Sequence, residues 1–405
     1  MLRVEAWQRI EEVIRGVMRR FAFEEIRTPV LEKTELITRS IGALTDIVHK
    51  EMFSFRRGKT DYVLRPELTA PVMRAYLQHH MGSRGGVRRL FYMGACFRAE
   101  RPQKGRFRQF HQFGAEIIGT DDARADAEII GLLAAVYDAF GIDDVSLRVN
   151  TLGDPGARPR YVEALRRYLE PLESELSDTS KERLRSNPLR ILDTKSVREK
   201  ELLAGAPRLI DFVGQRSIEF WSRVKGYLDD LEITYTEDPF LVRGLDYYTH
   251  TAFELESPHI GAQSALAGGG RYDLLAREIG GKSDVPSVGF AAGIERLFLA
   301  LEAQEAILPG TQPLDVFLVA QGQEAMRRVL RLGMDLRVAG LRASFDLDGR
   351  SMKAQMRAAH RARARHVIIV GEEELDRGCV QVKDMETGDQ FGLSFDSLAA
   401  YFLGV

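Results

Sequence analysis

Residues 97–116 read Phe97-Arg98-Ala99-Glu100-Arg101-Pro102-Gln103-Lys104-Gly105-Arg106-Phe107-Arg108-Gln109-Phe110-His111-Gln112-Phe113-Gly114-Ala115-Glu116. Side chains alternate on either side of a loop near residues 102–105, which predicts a β-hairpin. One face of its first strand would be mainly apolar, with Phe91, Met93, Ala95 and Phe97. The other face of the hairpin would carry Tyr92, Gly94, Cys96, Arg98, Glu100, Arg106, Arg108, Phe110, Gln112, Gly114 and Glu116.

This second face has two interpretations. The polar side of a half-solvated antiparallel sheet ordinarily carries Arg, Gln and Glu without binding any ligand. A solvated face seldom places a lone phenylalanine, here Phe110, among arginines, or a glycine, here Gly114, that leaves a gap among the side chains. An aromatic ring flanked by guanidinium groups suits a stacked base beside phosphates, so we interpret this face as a nucleotide site.

The composition is typical of a globular enzyme. The chain has 405 residues, of which 44% are hydrophobic and 29% are charged, enough for well-packed cores in two or three domains. With a net charge of −2, a nucleic-acid partner would have to meet local basic patches. The two cysteines give no disulfide framework. No signal peptide or membrane span is recognisable, so we expect a cytoplasmic protein without membrane association.

Periodicity indicates the order of the elements before and after the hairpin. An amphipathic helix is predicted at the N-terminus by Trp7, Ile10, Ile14, Val17, Met18 and Phe21. A strand over residues 25–30 contains Pro29, which cannot donate to a ladder, so we expect it at a sheet edge or a subunit contact. A helix over residues 125–140 is closed by Gly141. Consecutive strands with few crossover helices predict a largely antiparallel sheet.

Composition shifts mark further segments. Residues 154–232 are highly charged, contain several prolines and read as a helical insertion, after which sheet-like sequence resumes. A linker at residues 308–313 is followed by strand and helix patterns that alternate, which predicts a separate α/β domain. Gly268-Gly269-Gly270-Arg271 fits neither a P-loop nor a dinucleotide fingerprint; it reads as a tight turn or bulge, or as a place where backbone approaches a ligand closely.

Taken together, these segments resemble class II aminoacyl-tRNA synthetases and, among them, the histidyl-tRNA synthetase family. Pro29 occupies the position of the proline in the first class motif, the dimer strand. Residues 97–100 with 106–110 resemble the second class motif, and residues 293–296 resemble the third. Residues 241–248 and 269–273 are similar to the two signatures specific to the histidine enzymes. The resemblance covers nearly the whole chain, including residues 349–355 and 382–385.

The resemblance implies an α+β fold. Its core would be an antiparallel six-stranded class II sheet flanked by helices, with a helical insertion and a C-terminal α/β anticodon-binding domain. On this basis residues 1–153 and 233–307 would form the catalytic domain in two parts. Residues 154–232 would be the insertion and residues 313–405 the anticodon-binding domain. The family also implies a homodimer.

The activity implied by the resemblance is the ligation of histidine to its tRNA in two steps. Histidine attacks ATP to give histidyl-adenylate and pyrophosphate, and the histidyl group then passes to the terminal ribose of tRNA(His). The expected ligands are therefore L-histidine, ATP and tRNA(His), with Mg²⁺ on the phosphates of ATP and no metal held by the protein itself.

The same resemblance implies residue roles. Arg98 would hold the α-phosphate, Phe110 and Arg296 would sandwich the adenine, and Arg106 with Glu100 would contact the nucleotide. Histidine would be held at its amino and carboxylate groups by Glu67, Thr69 and Gln112, and at its imidazole by Glu116, Tyr248 and Tyr272, with Tyr247 beside them. Arg243 would contact histidine and neutralise charge that develops on the phosphate, as a metal ion does elsewhere.

Two positions depart from the family pattern. The chain begins at Met1 close to its first helix, where relatives usually carry a longer segment, which bears on dimer packing. Leu68 follows Glu67 where a glycine is common. Alternation from Glu67 predicts that the Leu68 side chain points away from the amino-acid pocket.

Two other functions stay open on the sequence alone. The synthetase-like regulatory subunit of ATP phosphoribosyltransferase binds ligands without aminoacylating, but it typically lacks the anticodon domain and breaks the signature that is intact here at residues 243–248. A generic nucleotide-binding module with a polar sheet face would not explain two independent histidine signatures. Histidine-dependent ATP–pyrophosphate exchange would separate these functions from the ligase.

Basic residues recur every four positions in the last domain, at Lys353, Arg357, Arg361 and Arg365. On a helix over residues 351–363 and its continuation they would form one stripe. A solvated helix face is the ordinary explanation, but like charges at this spacing lower helix stability unless an anion offsets them. We therefore expect tRNA contacts from Lys353, Arg357 and Arg361, together with Arg101 and Gln103 of the hairpin loop.

Overall fold

The computed structural model describes residues 4–42, 45, 47–101, 105–243, 247–260, 264–304 and 313–403. The chain forms two compact units, Met1–Pro309 and Gly310–Val405. Each unit combines helices with a sheet, and the predicted α+β fold is confirmed. Within the described ranges, no helix is both long and apolar enough to cross a membrane.

The first unit is built on an eight-stranded sheet with the order β1-β5-β6-β11-β10-β9-β7-β8, beside a small sheet with the order β2-β4-β3. The strands are β1 (Glu24–Glu25), β2 (Leu31–Lys33), β3 (Ser54–Arg57), β4 (Thr60–Leu64), β5 (Arg88–Phe97), β6 (Gln109–Ile118), β7 (Ser146–Thr151), β8 (Thr236–Glu237), β9 (Thr249–Glu256), β10 (Ala265–Arg271) and β11 (Ser287–Gly293).

The six central strands of the large sheet pair antiparallel, and the two short edge strands β1 and β8 pair parallel. Strands β5 and β6 form the predicted hairpin, with Tyr92 opposite Gly114 and Cys96 opposite Phe110. Because cross-strand partners share a face, these side chains lie together on the face that we assigned to a ligand. The parity predicted for the hairpin is therefore correct.

Helices cover both faces of this sheet. The helices of the first unit are α1 (Val4–Arg20), α2 (Thr34–Ile41), α3 (Thr69–Gln78), α4 (Ala123–Asp138), α5 (Ala157–Leu169), α6 (Asp178–Ser186), α7 (Val197–Leu203), α8 (Gln215–Asp230), α9 (Leu275–Glu278) and α10 (Ile294–Ala303). The apolar stripe of α1 buries Ile10, Ile14 and Val17 in one core with α4, α10 and the outer face of the sheet. A second cluster, with Leu68, Val72 and Tyr92, packs α3 onto the ligand face.

Residues 154–232 are helical, as their composition indicated, but their apolar residues divide between two cores. Helices α5 and α7 bury Tyr161, Leu165 and Leu203 in a cluster of their own. Helix α8 instead buries Trp221 and Val224 in the core of the sheet. The last helix of this segment is therefore anchored to the sheet.

The strand predicted over residues 25–30 is much shorter than expected. Strand β1 ends at Glu25, and Pro29 lies beyond it. The Arg65 guanidinium accounts for this, because its Nη1 donates to the carbonyl oxygens of Thr28 at 2.7 Å and Pro29 at 3.2 Å. A side chain thus takes the hydrogen bonds that a ladder would have used. The edge position of β1 agrees with the prediction.

The second unit alternates strand and helix as predicted and adds two antiparallel strands. Its sheet has the order β13-β12-β14-β15-β16. The elements are β12 (Val316–Ala320), α11 (Gln323–Val338), β13 (Ala343–Phe345), α12 (Met352–Arg361), β14 (His366–Val370), α13 (Glu372–Arg377), β15 (Cys379–Asp384), β16 (Gln390–Ser394) and α14 (Leu398–Leu403).

The basic stripe of the second unit is shorter than predicted. Lys353, Arg357 and Arg361 are exposed at helical spacing on α12. Helix α12 ends at Arg361, and Arg363 adopts a left-handed backbone conformation with φ +50°. Arg365 therefore leaves the helix and cannot extend the stripe.

Candidate functional site

A cavity of about 220 Å³ opens on the ligand face of the large sheet. It is lined by most of the predicted site residues, namely Glu67, Thr69, Arg98, Glu100, Arg106, Phe110, Gln112, Arg243, Tyr247, Tyr248 and Arg296. Glu116 and Tyr272 are buried nearby but do not line it. Arg101 is exposed and does not line it either. Gln103 lies outside the described residues, as do residues 244–246 of the signature.

Small residues in the middle of the sheet create the cavity. One row of cross-strand partners, here called the central row, runs Tyr92, Gly114, Ala291, Gly268, Glu254 and Arg148. Its middle members carry little or no side chain, so space remains above the backbone. The gap predicted at Gly114 is nevertheless filled, because a Cβ there would lie 2.4 Å from the Tyr92 hydroxyl oxygen. Space for a ligand therefore begins at Ala291, because the Arg243 guanidinium occupies the space above Gly268.

Two arginines of the hairpin line one side of the cavity. Arg98 donates from Nε to the carbonyl oxygen of Pro66 at 3.0 Å, and its guanidinium lies 5.2 Å from the centre of the Phe110 ring. Arg106 donates from Nη1 to Glu100 at 2.7 Å. A guanidinium beside an aromatic face is the arrangement expected for a stacked base next to a phosphate.

Arg296 reaches the same cavity from the first turn of α10. Its Nη1 donates to the carbonyl oxygen of Ala265. Burial lowers the pKa of Arg296, and the charges of Arg106 and Arg98 lower it further. Among the described residues, the hydrogen bonds of Arg98 and Arg296 go to carbonyl oxygens and not to carboxylates. The cavity is also lined by Glu67, Glu100, Glu254 and Glu295, but these two guanidinium groups are not hydrogen-bonded to them and can bind an anionic ligand.

Glu67, just before α3, and Gln112 of β6 add acceptor groups to the lining of the cavity. The Glu67 carboxylate accepts the backbone N–H groups of Thr69 at 2.6 Å and Ala70 at 3.0 Å, in the first turn of α3. Burial raises the pKa of Glu67, and these two N–H groups oppose that rise. Leu68 is buried in the apolar cluster beneath α3 and does not line the cavity, in agreement with the predicted orientation.

The tyrosines of the two signatures, Tyr247, Tyr248 and Tyr272, pack against one another in tilted and edge-on arrangements. The rings of Tyr247 and Tyr248 are 4.6 Å apart, and those of Tyr247 and Tyr272 are 5.7 Å apart. Burial raises the pKa of all three hydroxyls. At neutral pH they are therefore uncharged groups that can donate or accept a hydrogen bond.

Glu116 is the centre of a buried hydroxyl network. Its carboxylate accepts hydrogen bonds from Thr69 at 2.9 Å, Tyr92 at 3.0 Å and Tyr272 at 2.5 Å. Burial raises the pKa of Glu116 to about 8, against the effect of these donors. A Cβ on Gly289, the cross-strand partner of Glu116, would lie 1.5 Å from its Oε2, so the glycine is required there. Thr69 is the member of the network that links it to the cavity.

The raised pKa of Glu116 predicts a pH-dependent stability. Folded Glu116 keeps its proton at pH values where the unfolded chain has lost it, so the folded state binds more protons and the free energy of unfolding falls as the pH rises towards about 8. We expect Glu116→Gln to lose this dependence. The measurement is the urea midpoint from tryptophan fluorescence between about pH 6 and about pH 9. Parallel pH profiles for the two proteins would contradict the prediction.

Arg243 lies over the central row. Its Nη1 donates to Glu254 at 2.6 Å, and its guanidinium is 5.8 Å from the centre of the Tyr248 ring. A Cβ on Gly268 would lie 2.0 Å from Nη2, so this glycine makes room for the guanidinium. The Nε of Arg243 is buried and has no hydrogen-bond partner in the described part of the chain.

Sequence reasoning assigned no role to Glu254, Arg148 or Tyr92, although it placed Tyr92 on the ligand face. Glu254 is a single acidic residue within the strand sequence Thr251-Ala252-Phe253-Glu254-Leu255, which was a usable signal. Arg148 donates to Glu254 from a strand about a hundred positions earlier, and no local pattern reveals that pairing. Tyr92 shares the parity of the site residues, but only the structure shows that it crosses Gly114.

Comparisons with known proteins agree with this geometry. The family model described as histidyl-tRNA synthetase matches residues 2–297, and that described as anticodon binding domain matches residues 315–404. The histidine–tRNA ligase of Chlorobium phaeovibrioides is 49% identical over 397 residues, which are 97% of this chain and 93% of the relative. The crystal structure of S. aureus histidyl-tRNA synthetase is 38% identical with a TM-score of 0.82, covering 98% of this chain and 96% of that chain.

A more distant solved structure shares the fold alone. It is described as an ATP phosphoribosyltransferase regulatory subunit/histidyl-tRNA synthetase from Bacillus halodurans. It is 23% identical with a TM-score of 0.63 and covers 91% of this chain and 94% of that chain. At this identity the likeness carries no information about activity.

Proposed function

Because the chain belongs to the histidyl-tRNA synthetase family and is a histidine–tRNA ligase, we propose that histidine is activated by ATP in the cavity over the central row. A carboxylate oxygen of histidine attacks the α-phosphorus of ATP, pyrophosphate leaves, and the histidyl group then passes to the 3′ end of the tRNA. The observation that carries the placement is the convergence of Arg98, Arg106 and Arg296 beside the Phe110 ring.

ATP would occupy the side of the cavity formed by the hairpin and α10. Arg98 would bind the α-phosphate, and the adenine would lie between Phe110 and Arg296. Arg106 with its partner Glu100 would contact the rest of the nucleotide. The lowered pKa of Arg296 supports this assignment, because a polyphosphate would offset the repulsion among the guanidinium groups.

Histidine would lie between α3 and the signature tyrosines. Glu67, Thr69 and Gln112 would hold its ammonium and carboxylate groups, since all three line the cavity. Tyr248 and Tyr247 would contact the imidazole. Direct contacts of Glu116 and Tyr272 with the imidazole stay predictions, because both side chains lie outside the cavity lining and reach it through Thr69 and Tyr247.

Arg243 would act on the phosphate during the transfer. Its guanidinium lines the cavity and has a buried donor, Nε, without a protein partner among the described residues. A fixed positive charge at this point favours the transition state, in which charge builds up on the phosphate oxygens.

Mg²⁺ would enter with ATP and be held by phosphate oxygens. The carboxylates that line the cavity are engaged with protein donors, for example Glu100 with Arg106 and Glu254 with Arg243. In the ranges that the structure describes, no three acidic, His or Cys side chains are grouped as metal ligands. Phosphates usually supply several of the ligands of Mg²⁺ in such sites.

The test is histidine-dependent ATP–pyrophosphate exchange followed by charging of tRNA(His). Exchange that requires histidine, and that other amino acids do not support, is the expected result. The regulatory subunit considered above would bind ligands without charging tRNA. The match to an anticodon-binding model and the 49% identity to a ligase over nearly the whole chain favour the ligase. Absence of both activities would overturn the assignment.

The second unit would bind the tRNA anticodon region. Support comes from the anticodon-binding model that matches residues 315–404 and from the exposed stripe of Lys353, Arg357 and Arg361 on α12. No carboxylate is paired with these three side chains among the described residues. Three like charges along one helix face suit a phosphate backbone. Contacts from Arg101 and Gln103 stay predictions.

We expect the double charge reversal Arg357→Glu, Arg361→Glu to weaken tRNA binding and to reduce the salt dependence of KM for tRNA. Pyrophosphate exchange should not change, because its residues lie in the first unit. The matched control is Arg327→Glu, Arg331→Glu on α11, which makes the same charge change at exposed positions. An unchanged KM for tRNA in the α12 variant at physiological salt would show that the stripe is only a solvated face.

The protein would act as a homodimer. Support comes from the segment around Pro29, where Val30 and Leu31 are each 41% exposed, an unusual exposure for adjacent apolar side chains. Light scattering of the purified chain should give twice the mass of 45.7 kDa. A monomer that charges tRNA would contradict the proposal.

The cytoplasm, where its tRNA substrate is used, is the proposed location.

A further inference from the structure

Glu254 joins the cavity to a charged network behind it. Its Oε2 accepts Arg243 Nη1 at 2.6 Å, and its Oε1 accepts Arg148 Nη2 at 2.9 Å. The two carboxylate oxygens therefore bind two different guanidinium groups. Both neighbours fix the plane of the carboxylate, so the direction in which it holds Arg243 is also fixed.

Arg148 is anchored in turn by two further carboxylates. It donates to Asp238 at 2.7 Å and to Glu256 at 2.8 Å. Asp238 lies just after β8 and Glu256 lies at the end of β9, so the network spans the edge of the sheet. Side chains that form such a network of ion pairs have less conformational freedom than those of a single surface pair.

The sheet register places this chain of charges. Arg148, Glu254 and Gly268 are successive members of the central row, on β7, β9 and β10. Arg243 comes from an irregular segment after β8 and covers Gly268. A long side chain on an irregular segment has many rotamers, so its position in the cavity depends on contacts such as the one with Glu254.

The electrostatics agree with an ionised pair. Burial would lower the pKa of Arg243, but the charge and hydrogen bond of Glu254 together with the neighbouring Tyr248 and Tyr247 outweigh it, and the pKa is raised. Burial likewise opposes ionisation of Glu254, and the charges of Arg243 and Arg148 keep its pKa below the usual value. Arg243 is therefore held as a cation, with its Nε still unpaired in the described part of the chain.

We propose that Glu254, braced by Arg148, is a positioning residue that holds the Arg243 guanidinium against the reacting phosphate. This inference rests on the role proposed above for Arg243. Glu254 lines the cavity, but both of its oxygens are already bound to guanidinium groups, so it would act through Arg243. Its loss would leave Arg243 charged but free to adopt other rotamers.

The test is a double-mutant cycle on pyrophosphate exchange. We expect Glu254→Gln to lower kcat by about 10- to 100-fold, the range seen when a partner that orients an active-site ligand is removed from metal sites. KM for ATP and for histidine should change by less than about 2-fold, since ground-state contacts are kept. In an Arg243→Ala background the same substitution should have almost no further effect, because residues that act as one unit are not additive.

Glu128→Gln is the matched control. Glu128 forms a two-pronged ion pair with Arg89, but on the opposite face of the sheet from the cavity. We expect unchanged exchange in this variant. Urea midpoints monitor folding, and if Glu254→Gln is unfolded at the assay temperature, Glu254→Asp replaces it in the cycle. The shorter carboxylate keeps the charge and should give a smaller loss with the same coupling to Arg243.

The outcomes separate this inference from the proposed function. Multiplicative effects of the two substitutions, or an unchanged rate in Glu254→Gln, would overturn the positioning role while leaving the ligase assignment intact. An unchanged rate in Arg243→Ala would overturn both the role of Arg243 and the inference. Absence of histidine-dependent exchange in the unmodified protein would overturn the proposed site itself.

Discussion

The Arg243→Ala variant is expected to lose about 10²–10³ in the rate of adenylate formation while binding histidine almost normally. One preorganised charge aimed at an oxyanion contributes a factor of this size. The structure makes the substitution a clean deletion, because Glu254 keeps its bond to Arg148 at 2.9 Å and is not left as an unpaired buried charge. The measurement combines histidine-dependent pyrophosphate exchange with histidine binding by calorimetry.

Arg243→Lys is the control that keeps the positive charge but loses the planar arrangement of the guanidinium donors. A lysine keeps the positive charge but cannot contact Glu254 and a phosphate at the same time. We therefore expect its rate of adenylate formation to lie between those of the unmodified protein and of Arg243→Ala. Equal losses in histidine binding and in rate for Arg243→Ala would contradict the prediction. They would identify Arg243 as a structural arginine that shapes the histidine pocket.

The hairpin shows what the sequence can predict. Strand alternation is a local property with a period of two, so the parity of Arg98, Phe110 and Gln112 follows without knowledge of the other strands. The same local logic predicted the alternating elements of the second unit. It failed for residues 25–30, where a distant guanidinium, Arg65, replaces the ladder, and no local pattern signals such a contact.

Strand parity could not predict which residues of the ligand face line the cavity and which are buried beneath it. Glu116 and Gln112 share one face of β6, but only Gln112 lines the cavity. The difference arises from residues on other strands, since Tyr92 and Tyr272 cover Glu116. The pairing of Arg148 with Glu254 was likewise not predictable, because it depends on the register between two strands that are far apart in the sequence. Prediction from one sequence therefore identifies the face of a site more readily than its lining.

The basic stripe illustrates a different limit. Spacing alone assigned four residues to it, but the left-handed conformation of Arg363 ends the regular geometry before Arg365. Arginine is not a residue type that signals this conformation, unlike glycine or asparagine. The length of a helix is thus less certain than its existence when the terminating residue is of an ordinary type.

The buried pair of Arg271 and Asp126 is a stability element of the first unit. The two side chains are 1% and 0% exposed, and Arg271 Nε donates to Asp126 Oδ1 at 3.2 Å. Arg271 also donates to the carbonyl oxygen of Thr120 at 2.9 Å and to Asp273 at 3.3 Å. Arg271, the last residue of β10, thus connects the end of that strand to the first turn of α4. Removal of Asp126 would leave the Arg271 cation in the interior with Asp273, at 3.3 Å, as its remaining carboxylate partner.

We expect Asp126→Ala to lower the free energy of unfolding by about 3–5 kcal/mol, the usual cost of breaking a buried ion pair by removing one partner. The double variant Asp126→Leu, Arg271→Met removes both charges and should recover part of that loss, because the buried cation that lost its main partner is gone, while Asp273 loses its contact with Arg271. Asp61→Asn, which breaks a fully exposed pair with Arg56, should leave the urea midpoint nearly unchanged. Both tryptophans, Trp7 and Trp221, lie in the first unit, so their fluorescence reports its unfolding without a signal from the second. If Asp126→Ala and the double variant were equally destabilised, the loss would come from packing around α4, and the buried charge would not be its cause.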